Sequence, residues 1–382
     1  MTDPVVLVWV GTRADLFPLG PVIEALGRAD GLRTRVVASD AVGDLLGQVE
    51  LSGVDVHRLS TPLSVAGRSA QLESGPRLAI EFSQLLTRWE PAAILVLGDR
   101  WELLYVVPPA VLAGIPIVHL HGGELTEGAI DDRVRHAVSK LADLHCVSTA
   151  GAARRLRQLG EPTDRVVVTG APSLDRLAGV RVPTDPELAR MLGGVVVRPL
   201  ALATYHPATA ADEDPGLTVD AMLEALLATT GTAVVTAPGL DAGRETIVAR
   251  LAAAAAAQPS LRLVANLGAS YPRVMAAADV VVGNSSSGIL EAASLSMPVV
   301  DIGLRQAGRE RGSNVITVGT DAQAIATGIR RALTPAFRDS VRRAGNPYGD
   351  GHAADRIVAV TRRAVHGLPA GKPFIDHLDV VR

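Results

Sequence analysis

Residues 93–124 have the sequence AILVLGDRWELLYVVPPAVLAGIPIVHLHGGE, and this stretch decides the fold class. Two apolar runs, Ala93–Leu97 and Pro116–Leu120, flank a helical pattern over Trp101–Leu112. Continuous apolar runs of this length, separated by a helix, predict two parallel strands that are buried on both faces and joined by a crossover helix. A chain built from such units forms an open parallel sheet with helices on both sides.

The same unit of strand and helix recurs before and after this stretch. In the first half it predicts further strands at Val5–Val10, Thr34–Ala38 and Leu144–Ser148, and helices at Ala14–Arg28, Ala41–Gln48, Ile130–Leu141 and Gly151–Leu159. The alternation weakens over residues 180–194, which are punctuated by proline and glycine and are predicted to be a linker. It resumes from Leu200 to Ile302, and a last helix is predicted at Ala353–Val365, which is long enough to cross back onto the first domain. We therefore expect an α/β fold of two Rossmann-like doubly wound domains.

The domain boundaries are predicted from the chain length and from this pattern. A chain of 382 residues exceeds the size at which a single core usually stops growing. We predict an N-terminal domain over residues 1–178 and a C-terminal domain over residues 179–365, with the segment 366–382 packing back on the first domain. The carboxyl ends of both sheets are expected to face a central cleft, where proteins of this type bind their ligands.

The composition excludes several classes of protein. Apolar residues make up 48% of the chain, which is enough to fill two cores and is not typical of disorder. The 37 basic and 40 acidic residues give a net charge of −3, so there is no general basic field for nucleic acid. The sequence shows neither a secretory signal nor an apolar run of the ~20 residues that a membrane span requires. With a single cysteine, which excludes an intrachain disulfide, these features predict a cytoplasmic protein that contacts neither nucleic acid nor membrane.

Ionisable residues follow two neighbouring strands of the predicted first sheet. Asp99 and Arg100 come directly after one apolar run, and His121 and Glu124 follow the next. Because parallel strands end at the same edge of a sheet, these side chains are expected to meet, and a carboxyl crowded by others acquires a raised pKa. The group suits proton transfer. A helix-capping role for Asp99 and a solvated acidic loop are the structural alternatives.

Asp131 begins the helix that comes next, in an acidic stretch that also contains Glu127. It is a further candidate for acid or base chemistry, with a helix cap as the alternative. A metal site built from His119, His121 and Glu124 matches no standard zinc spacing, so neither a metal nor another cofactor is expected.

The loop after the first strand, Gly11–Asp15, is a candidate anion site. It turns at a glycine and places Arg13 beside the N-terminus of the next helix, where an anion is favoured. The alternative is an ordinary helix start, capped by Asp15, with Arg13 in solvent.

In the second domain a serine-rich loop, Gly283–Gly288, lies between an apolar strand and a helix predicted at Ile289–Leu295. Three hydroxyls and several backbone N–H groups at a helix N-terminus form a cradle for a diphosphate that needs no net charge. A glutamate one turn into the helix is placed to reach vicinal ribose hydroxyls, although a solvated first-turn glutamate is equally ordinary. The candidate ligand-binding residues of this domain are His206, Asn284, Ser285, Ser286, Ser287, Glu291 and Arg305.

Seven motifs follow one another along nearly the whole chain: Gly11–Asp15, Gly98-Asp99-Arg100, His121–Glu124 with Ile130–Asp132 and Arg135-His136, Tyr205-His206-Pro207, Gly283–Gly288, Gly303–Gln306 and Asn346–Asp350. Taken together, these motifs resemble those of the hydrolysing UDP-N-acetylglucosamine 2-epimerase family of sialic-acid and legionaminic-acid pathways. Gly122-Gly123-Glu124 and the triple serine resemble the hydrolysing branch more than the non-hydrolysing one.

The resemblance implies a glycosyltransferase-B-like fold, UDP bound mainly by the C-terminal domain, and a homodimer or a dimer of dimers. It also implies loss of UDP from C1 together with the C2 proton, which gives a 2-acetamidoglucal, followed by hydration to the free 2-epimer, N-acetylmannosamine. A glycosyltransferase-B-type transferase that uses a UDP-sugar donor is the alternative function, because the same fold and nucleotide site serve both.

The resemblance assigns roles to the candidate residues. Catalysis falls to Asp99, His121, Glu124 and Asp131, and substrate binding to Arg13 and Arg100 with the residues named for the second domain. Several family members have a catalytically implicated glutamate at the position of His121, so the acid and base work is left open between His121 and Glu124.

Overall fold

The computed structural model describes residues 3–43, 54–63, 68–126, 130–207, 214–238, 244–368 and 371–376. It divides the chain into two compact units. The first consists of Met1–Arg176 and Tyr348–Arg382, and the second of Leu177–Pro347.

The first unit is built on a parallel sheet of seven strands in the order β3-β2-β1-β4-β5-β6-β7, which is the doubly wound order. Its strand order reverses between β1 and β4, at what is called the switch point of the sheet. The strands are β1 (Val5–Val10), β2 (Arg33–Ala38), β3 (Val54–Arg58), β4 (Ala93–Leu97), β5 (Ile117–Leu120), β6 (Leu144–Val147) and β7 (Val166–Val168).

The second unit repeats this architecture with six parallel strands in the order β10-β9-β8-β11-β12-β13, so that its switch point lies between β8 and β11. The strands are β8 (Leu200–Thr204), β9 (Thr232–Thr236), β10 (Leu261–Val264), β11 (Val280–Gly283), β12 (Val299–Ile302) and β13 (Val315–Val318). The prediction of two Rossmann-like doubly wound domains is confirmed. The central cleft stays a prediction.

Helices cover both faces of each sheet, because strands in parallel sheets are apolar on both sides. In the first unit α1 and α13 pack on one face and α2, α3 and α4 on the other. In the second unit α7, α8 and α11 cover one face, and α6 and α9 cover the other. The helices are α1 (Arg13–Gly27), α2 (Arg68–Trp89), α3 (Leu103–Leu112), α4 (Ile130–Leu141), α5 (Ala150–Gln158), α6 (Asp185–Leu192), α7 (Pro215–Thr229), α8 (Arg244–Ala257), α9 (Tyr271–Ala277), α10 (Ser286–Leu290), α11 (Ala322–Ala332), α12 (Pro335–Arg343) and α13 (Ala353–Val365).

The predicted linker at residues 180–194 is wrong, because it contains α6. This helix begins with a capping box, in which Thr184 and Glu187 satisfy each other's backbone N–H groups. Leu188 and Leu192 are buried in the core of the second unit. Eight helical residues between proline and glycine have the composition of a linker, and only their packing shows that they are structural.

The predicted boundary at residue 365 also differs from the structure, in which the chain re-enters the first unit at Tyr348. Helix α13 packs against α1 and buries Ile357 and Val360 in the core of the first unit. A helix that closes the face of another domain has the same amphipathic pattern as one that closes its own, so sequence periodicity did not locate it. Beyond it, Ile375 N–H donates to the carbonyl of Gly160 at 3.0 Å, also within the first unit.

Several elements were not predicted, among them β3, β13 and the 22-residue helix α2. Gly75 and Pro76 interrupt the apolar pattern of α2, so the pattern did not indicate one long helix. Most of the helix predicted at Ala41–Gln48 lies outside the described residues. No helix among the described ranges is both long and apolar enough to span a bilayer.

Candidate active site

The loop after β1 begins α1 at the switch point of the first unit. Oδ2 of Asp15 accepts hydrogen bonds from the backbone N–H groups of Gly11 and Thr12, at 3.0 and 2.8 Å. Burial raises the pKa of Asp15 to about 6, and nearby Arg100, from the loop after β4, opposes this rise. Asp15 therefore caps α1, as one of the two interpretations of this loop expected. Arg13 is exposed at the first residue of the helix.

Arg135, on α4, holds together the loops that follow β4 and β5. Its Nη2 donates to Oδ2 of Asp99 and, at 2.9 Å, to Oγ1 of Thr126. Its Nη1 donates to the carbonyl of Glu124 at 2.8 Å and to Oδ1 of Asp132 at 3.2 Å. Only 4% of the Arg135 side chain is exposed, so this is a largely buried charge that satisfies its carboxylate partners. Asp99 is thus an ion-pair partner of Arg135 and not a helix cap.

The loop after β5 turns back sharply at His121, whose φ is +61°, in the left-handed region that non-glycine residues seldom adopt. Gly123 follows with φ of +75°, and a side-chain carbon there would lie 2.3 Å from the carbonyl oxygen of Ala152. Nη1 of Arg155 donates to the carbonyl of Gly123 at 3.0 Å. Only glycine permits so close an approach to α5, and this contact fixes the loop.

His121 and Glu124 form a hydrogen-bonded pair in this loop. Nδ1 of His121 lies 2.6 Å from Oε1 of Glu124, and Oγ of Ser148, at the end of β6, donates to the same oxygen at 2.5 Å. The two side chains are 15% and 19% exposed, so the pair is largely withdrawn from water. Arg135 links this loop to the one after β4 by binding the Glu124 carbonyl and Asp99, while a direct meeting of His121 and Glu124 with Asp99 and Arg100 stays a prediction.

The adjacent acids at the start of α4 have different environments. Oδ1 of Asp132 accepts from the backbone N–H of Thr126 at 2.9 Å, in addition to its bond from Arg135. Within the described part of the chain, the Asp131 carboxylate has no hydrogen-bond partner. Burial raises the pKa of Asp131, and the charge of nearby Arg100 lowers it. The structural role at this turn thus falls to Asp132; Glu127 lies outside the described residues.

His119, which was considered as a metal ligand, is a buried structural residue of β5. Its Nε2 donates to the carbonyl of Gly98 at 2.8 Å, and its Nδ1 lies 3.2 Å from Oγ of Ser139. Burial lowers the pKa of His119 to about 3, so the ring is neutral. Both ring nitrogens are used, and the side chain supports the turn that precedes Asp99.

In the second unit the loops after β8 and β11 are joined by one amide side chain. Oδ1 of Asn284 accepts from the backbone N–H of His206 at 2.7 Å, and its Nδ2 donates to the carbonyl of the same residue at 2.8 Å. A side-chain carbon at Gly283, with φ of +131°, would lie 1.9 Å from the carbonyl oxygen of Thr204. Nη1 of the exposed Arg305 donates to the carbonyl of Asn284 at 3.1 Å. Asn284 is therefore part of the frame of this site.

The three serines differ in what they contact. Ser287 is buried, and its Oγ lies 2.7 Å from Oη of Tyr271 and 3.0 Å from Oγ of Ser285. Ser286 is exposed at the first residue of α10. This helix begins three residues before the predicted Ile289 and is only five residues long, so the loop's hydroxyl and N–H groups provide more of any anion site than a helix dipole does.

Glu291 directly follows α10 and is partly buried. Burial raises the pKa of this carboxyl from its ordinary value to about 7. Glu291 is therefore not fully solvated, contrary to one of the two interpretations of its sequence position.

Sequence reasoning assigned no role to three residues that organise these sites. Arg135 was noted only as part of a motif, and Ser148 and Tyr271 were not considered. A serine at the end of a strand is a recognisable signal for Ser148, whereas the sequence near Tyr271 contains none.

The candidate residues thus form two sets, each at the carboxyl edge of its own sheet. In the first unit Asp99, Arg100, His121, Glu124 and Asp131 occupy the loops after β4 and β5 and the start of α4. In the second unit His206, Asn284, the three serines and Arg305 occupy the loops after β8, β11 and β12. Two Rossmann-like units with carboxylates and a histidine at one sheet edge and a hydroxyl-rich loop at the other are typical of enzymes that act on nucleotide-linked substrates.

Comparison with known proteins defines the family. The chain belongs to the UDP-N-acetylglucosamine 2-epimerase family, whose model matches residues 24–362. It is 31% identical over 354 residues to a UDP-N,N'-diacetylbacillosamine 2-epimerase (hydrolyzing) from Legionella pneumophila, covering 91% of this chain and 92% of the relative. It is 34% identical over 238 residues to a GDP/UDP-N,N'-diacetylbacillosamine 2-epimerase (hydrolyzing) from Campylobacter jejuni, covering 62% of each protein. The family resemblance of the motifs is confirmed.

Solved structures share the fold. The crystal structure of UDP-GlcNAc 2-epimerase from Neisseria meningitidis bound to UDP-GlcNAc has a TM-score of 0.74 and 20% identity, covering 94% of this chain and 99% of that one. A putative UDP-N-acetylglucosamine 2-epimerase from Listeria monocytogenes has a TM-score of 0.79 and 22% identity, covering 95% and 96%.

Proposed function

We propose that this protein is a hydrolysing 2-epimerase, which converts a UDP-2-acetamido sugar and water to UDP and the free sugar inverted at C2. The proposal rests on the cluster of residues after β4 and β5 and at the start of α4. In this member of the family, the His121–Glu124 pair, Asp99 and Asp131 lie at one edge of the first sheet. Epimerisation at C2 requires proton transfer, and this cluster supplies both acidic and basic groups.

The chemistry divides into two steps that balance. In the first, a base removes the C2 proton while the C1–oxygen bond to UDP breaks, and the electron pair forms the double bond of a 2-acetamidoglucal. In the second, water adds at C1 and a proton is delivered to C2 from the opposite face. The electrons of the C2–H bond form the new double bond, and those of the C1–oxygen bond leave with UDP. Elimination therefore makes the weakly acidic C2 proton removable, because negative charge ends on the departing diphosphate and not on C2.

UDP is assigned to the second unit. The exposed Ser286 and the backbone N–H groups of its loop are placed for the diphosphate, and Arg305 supplies a cation beside Asn284. Hydrogen bonds and positive charge aimed at the leaving diphosphate strengthen as negative charge develops there. Glu291 is assigned to the ribose hydroxyls, and His206 to the leaving group.

Two sugars are candidates for the substrate. UDP-N-acetylglucosamine, which would yield N-acetylmannosamine, is the substrate in the family's name. The names of the Legionella and Campylobacter relatives favour a second candidate, the 2,4-diacetamido sugar UDP-N,N'-diacetylbacillosamine. Both carry the 2-acetamido group on which the chemistry depends, and they differ at C4 and C6.

The test is incubation of the full chain with each UDP-sugar, without an acceptor, with UDP measured by chromatography and the sugar product by NMR. We expect UDP and a free sugar inverted at C2. A sugar transferase releases little UDP without an acceptor and leaves the configuration at C2 unchanged. Absence of UDP release from both sugars would contradict the proposal.

A further inference from the structure

We infer that Nε2 of His121 is the atom that exchanges a proton with the substrate, and that Glu124 and Ser148 are positioning residues that hold this ring. The inference rests on the proposed function and assigns roles within its first unit. The sequence left the acid and base roles open between His121 and Glu124, and this inference assigns them to His121.

The hydrogen bonds define which nitrogen of His121 carries the proton. Oε1 of Glu124 lies 2.6 Å from Nδ1 of His121 and accepts from Oγ of Ser148 at 2.5 Å. An ionised carboxylate only accepts hydrogen bonds, so Nδ1 must be the N–H donor of this pair. The neutral ring then has its lone pair on Nε2. This is the tautomer that acts as a base through Nε2 and, once protonated there, as an acid.

The Nε2 atom is buried, and among the described residues it has no hydrogen-bond partner. A buried polar atom left unpaired carries a free-energy cost, so an unpaired ring nitrogen at the carboxyl edge of this sheet indicates a place for a substrate proton. Glu124, in contrast, directs Oε1 toward two protein donors. A carboxylate engaged in this way is less free to approach C2 than the open nitrogen of the ring.

The backbone shows that the loop is built to hold this ring. His121 has a φ of +61°, which costs free energy in any residue other than glycine. The loop is retained by Arg155, which binds the carbonyl of Gly123, and by Arg135, which binds the carbonyl of Glu124. A strained residue kept in place by two arginines and a carboxylate is typical of a functional side chain.

Charged and titratable groups also lie on the elements around this loop. Glu124 belongs to the loop itself, His119 is on β5, Asp99 follows β4, Arg135 and Asp131 are on α4, and Arg155 is on α5.

The decisive variant is His121→Gly. Glycine adopts the positive φ of this position without strain, so the loop is expected to keep its shape and to leave a space for a free imidazole. We expect turnover to fall by ~10²–10⁴, as for the loss of an acid–base group. Added imidazole is expected to restore part of it in His121→Gly and none of it in Glu124→Gln. UDP affinity is expected to stay within about twofold in both, because UDP is assigned to the other unit.

Glu124→Gln and Ser148→Ala test the positioning roles. We expect Glu124→Gln to keep measurable turnover and to lower kcat with little change in KM, because the ring loses the carboxylate that fixes its orientation. Ser148→Ala is expected to lower kcat ~10-fold with little change in KM, and Ser148→Thr, which keeps the hydroxyl, to recover most of it. The matched control is Thr361→Val, which removes a buried hydroxyl of α13 that only binds the carbonyl of Ile357.

The outcomes separate this inference from the proposed function. An active wild-type protein whose His121→Gly variant keeps full turnover would overturn the inference alone. The inference would also be overturned if Glu124→Gln had no residual turnover while His121→Gln stayed active, because Glu124 would then be the residue that exchanges the proton with the substrate. Wild-type protein that releases UDP from neither sugar would overturn the proposed function itself. Melting curves for each variant show whether a loss of turnover comes from unfolding.

Discussion

The two units of this chain have the same strand order up to the sixth strand, yet the loops at the carboxyl edges of their sheets carry different side chains. In the first unit the loops after β4 and β5 are held by a guanidinium, and the groups that it fixes are carboxylates. In the second the loops after β8 and β11 are held by the neutral amide of Asn284, and the groups around it are hydroxyls and backbone N–H. The same scaffold therefore joins its loops with a charged side chain in one unit and with a neutral one in the other.

The difference has a physical reason. A group that moves protons needs a perturbed pKa, which requires charge and burial together, and Arg135 makes buried carboxylates tolerable. A group that holds a diphosphate needs many donors without a strong fixed anion nearby. Asn284, which both donates and accepts, rigidifies its loop without adding charge.

The largest effect is expected at the start of α4, where neighbouring acids have been assigned different tasks. Asp131→Asn is expected to lower turnover by ~10²–10⁴ with little change in melting temperature or UDP affinity, because the carboxylate has no hydrogen-bond partner among the described residues. The matched variant Asp132→Asn is expected to lower stability first, since Asp132 binds Thr126 and Arg135. Rate, melting curve and calorimetric UDP binding on the same preparations measure both. A folded Asp131→Asn protein with normal turnover would remove this residue from the mechanism.

In the second unit, the expected effect is on binding and not on the chemical step. Ser286→Ala is expected to weaken UDP binding by about 1–3 kcal/mol, the usual cost of removing a hydrogen bond to a charged oxygen. Ser287→Ala is the comparison, because its hydroxyl is already engaged by Tyr271 and its loss is expected to lower the melting temperature more than the affinity. Calorimetry on both variants measures the affinities. Equal losses of UDP affinity would show that the two hydroxyls are not divided in this way.

Stability in the second unit is expected to depend on pH through Glu291. Burial raises the folded pKa to about 7, so between its ordinary value of 4.5 and 7 the folded protein keeps a proton that the unfolded chain releases. Stability is therefore lost as the pH rises through this window. Glu291→Gln is expected to match the wild type at pH 4 and to be about 1–3 kcal/mol more stable at pH 8. Denaturant unfolding at the two pH values tests this, and a variant less stable than the wild type at pH 8 would contradict it.

The smallest effect is expected from removing metal ions. Within the ranges that the structure describes, no group of three or more His, Cys, Asp or Glu is arranged to hold one. Exhaustive chelation is expected to leave turnover unchanged within about twofold, with addition of Mg²⁺ to the chelated enzyme as the control. Loss of activity on chelation and its return with Mg²⁺ would contradict this prediction. It would place a cation beside the diphosphate, so that both candidate sites would depend on charge.

The sequence predicted that the candidate residues follow strand ends, and the structure places Asp99 and His121 there, because such positions depend on local pattern. Asp99 and His121 each follow directly after a run of buried apolar residues, and strand ends in a parallel sheet share an edge. It did not predict the internal contacts. Arg135 and Asp99 are 36 residues apart and Ser148 and Glu124 are 24 apart, and no local periodicity indicates that they touch.

Taken alone, the amino-acid order of this chain determined the alternation of strands and helices, and hence the two doubly wound sheets and the loops that carry the motifs. These are set by hydrophobic period and by glycine positions, which act over a few residues. The tertiary structure alone decided that the chain re-enters the first unit at Tyr348, that Asp132 and not Asp131 is tied to its neighbours, and that the Glu124 carboxylate faces His121 and Ser148. Such choices depend on how helices dock and on which buried charges find partners, and those free energies arise only when distant segments are brought together.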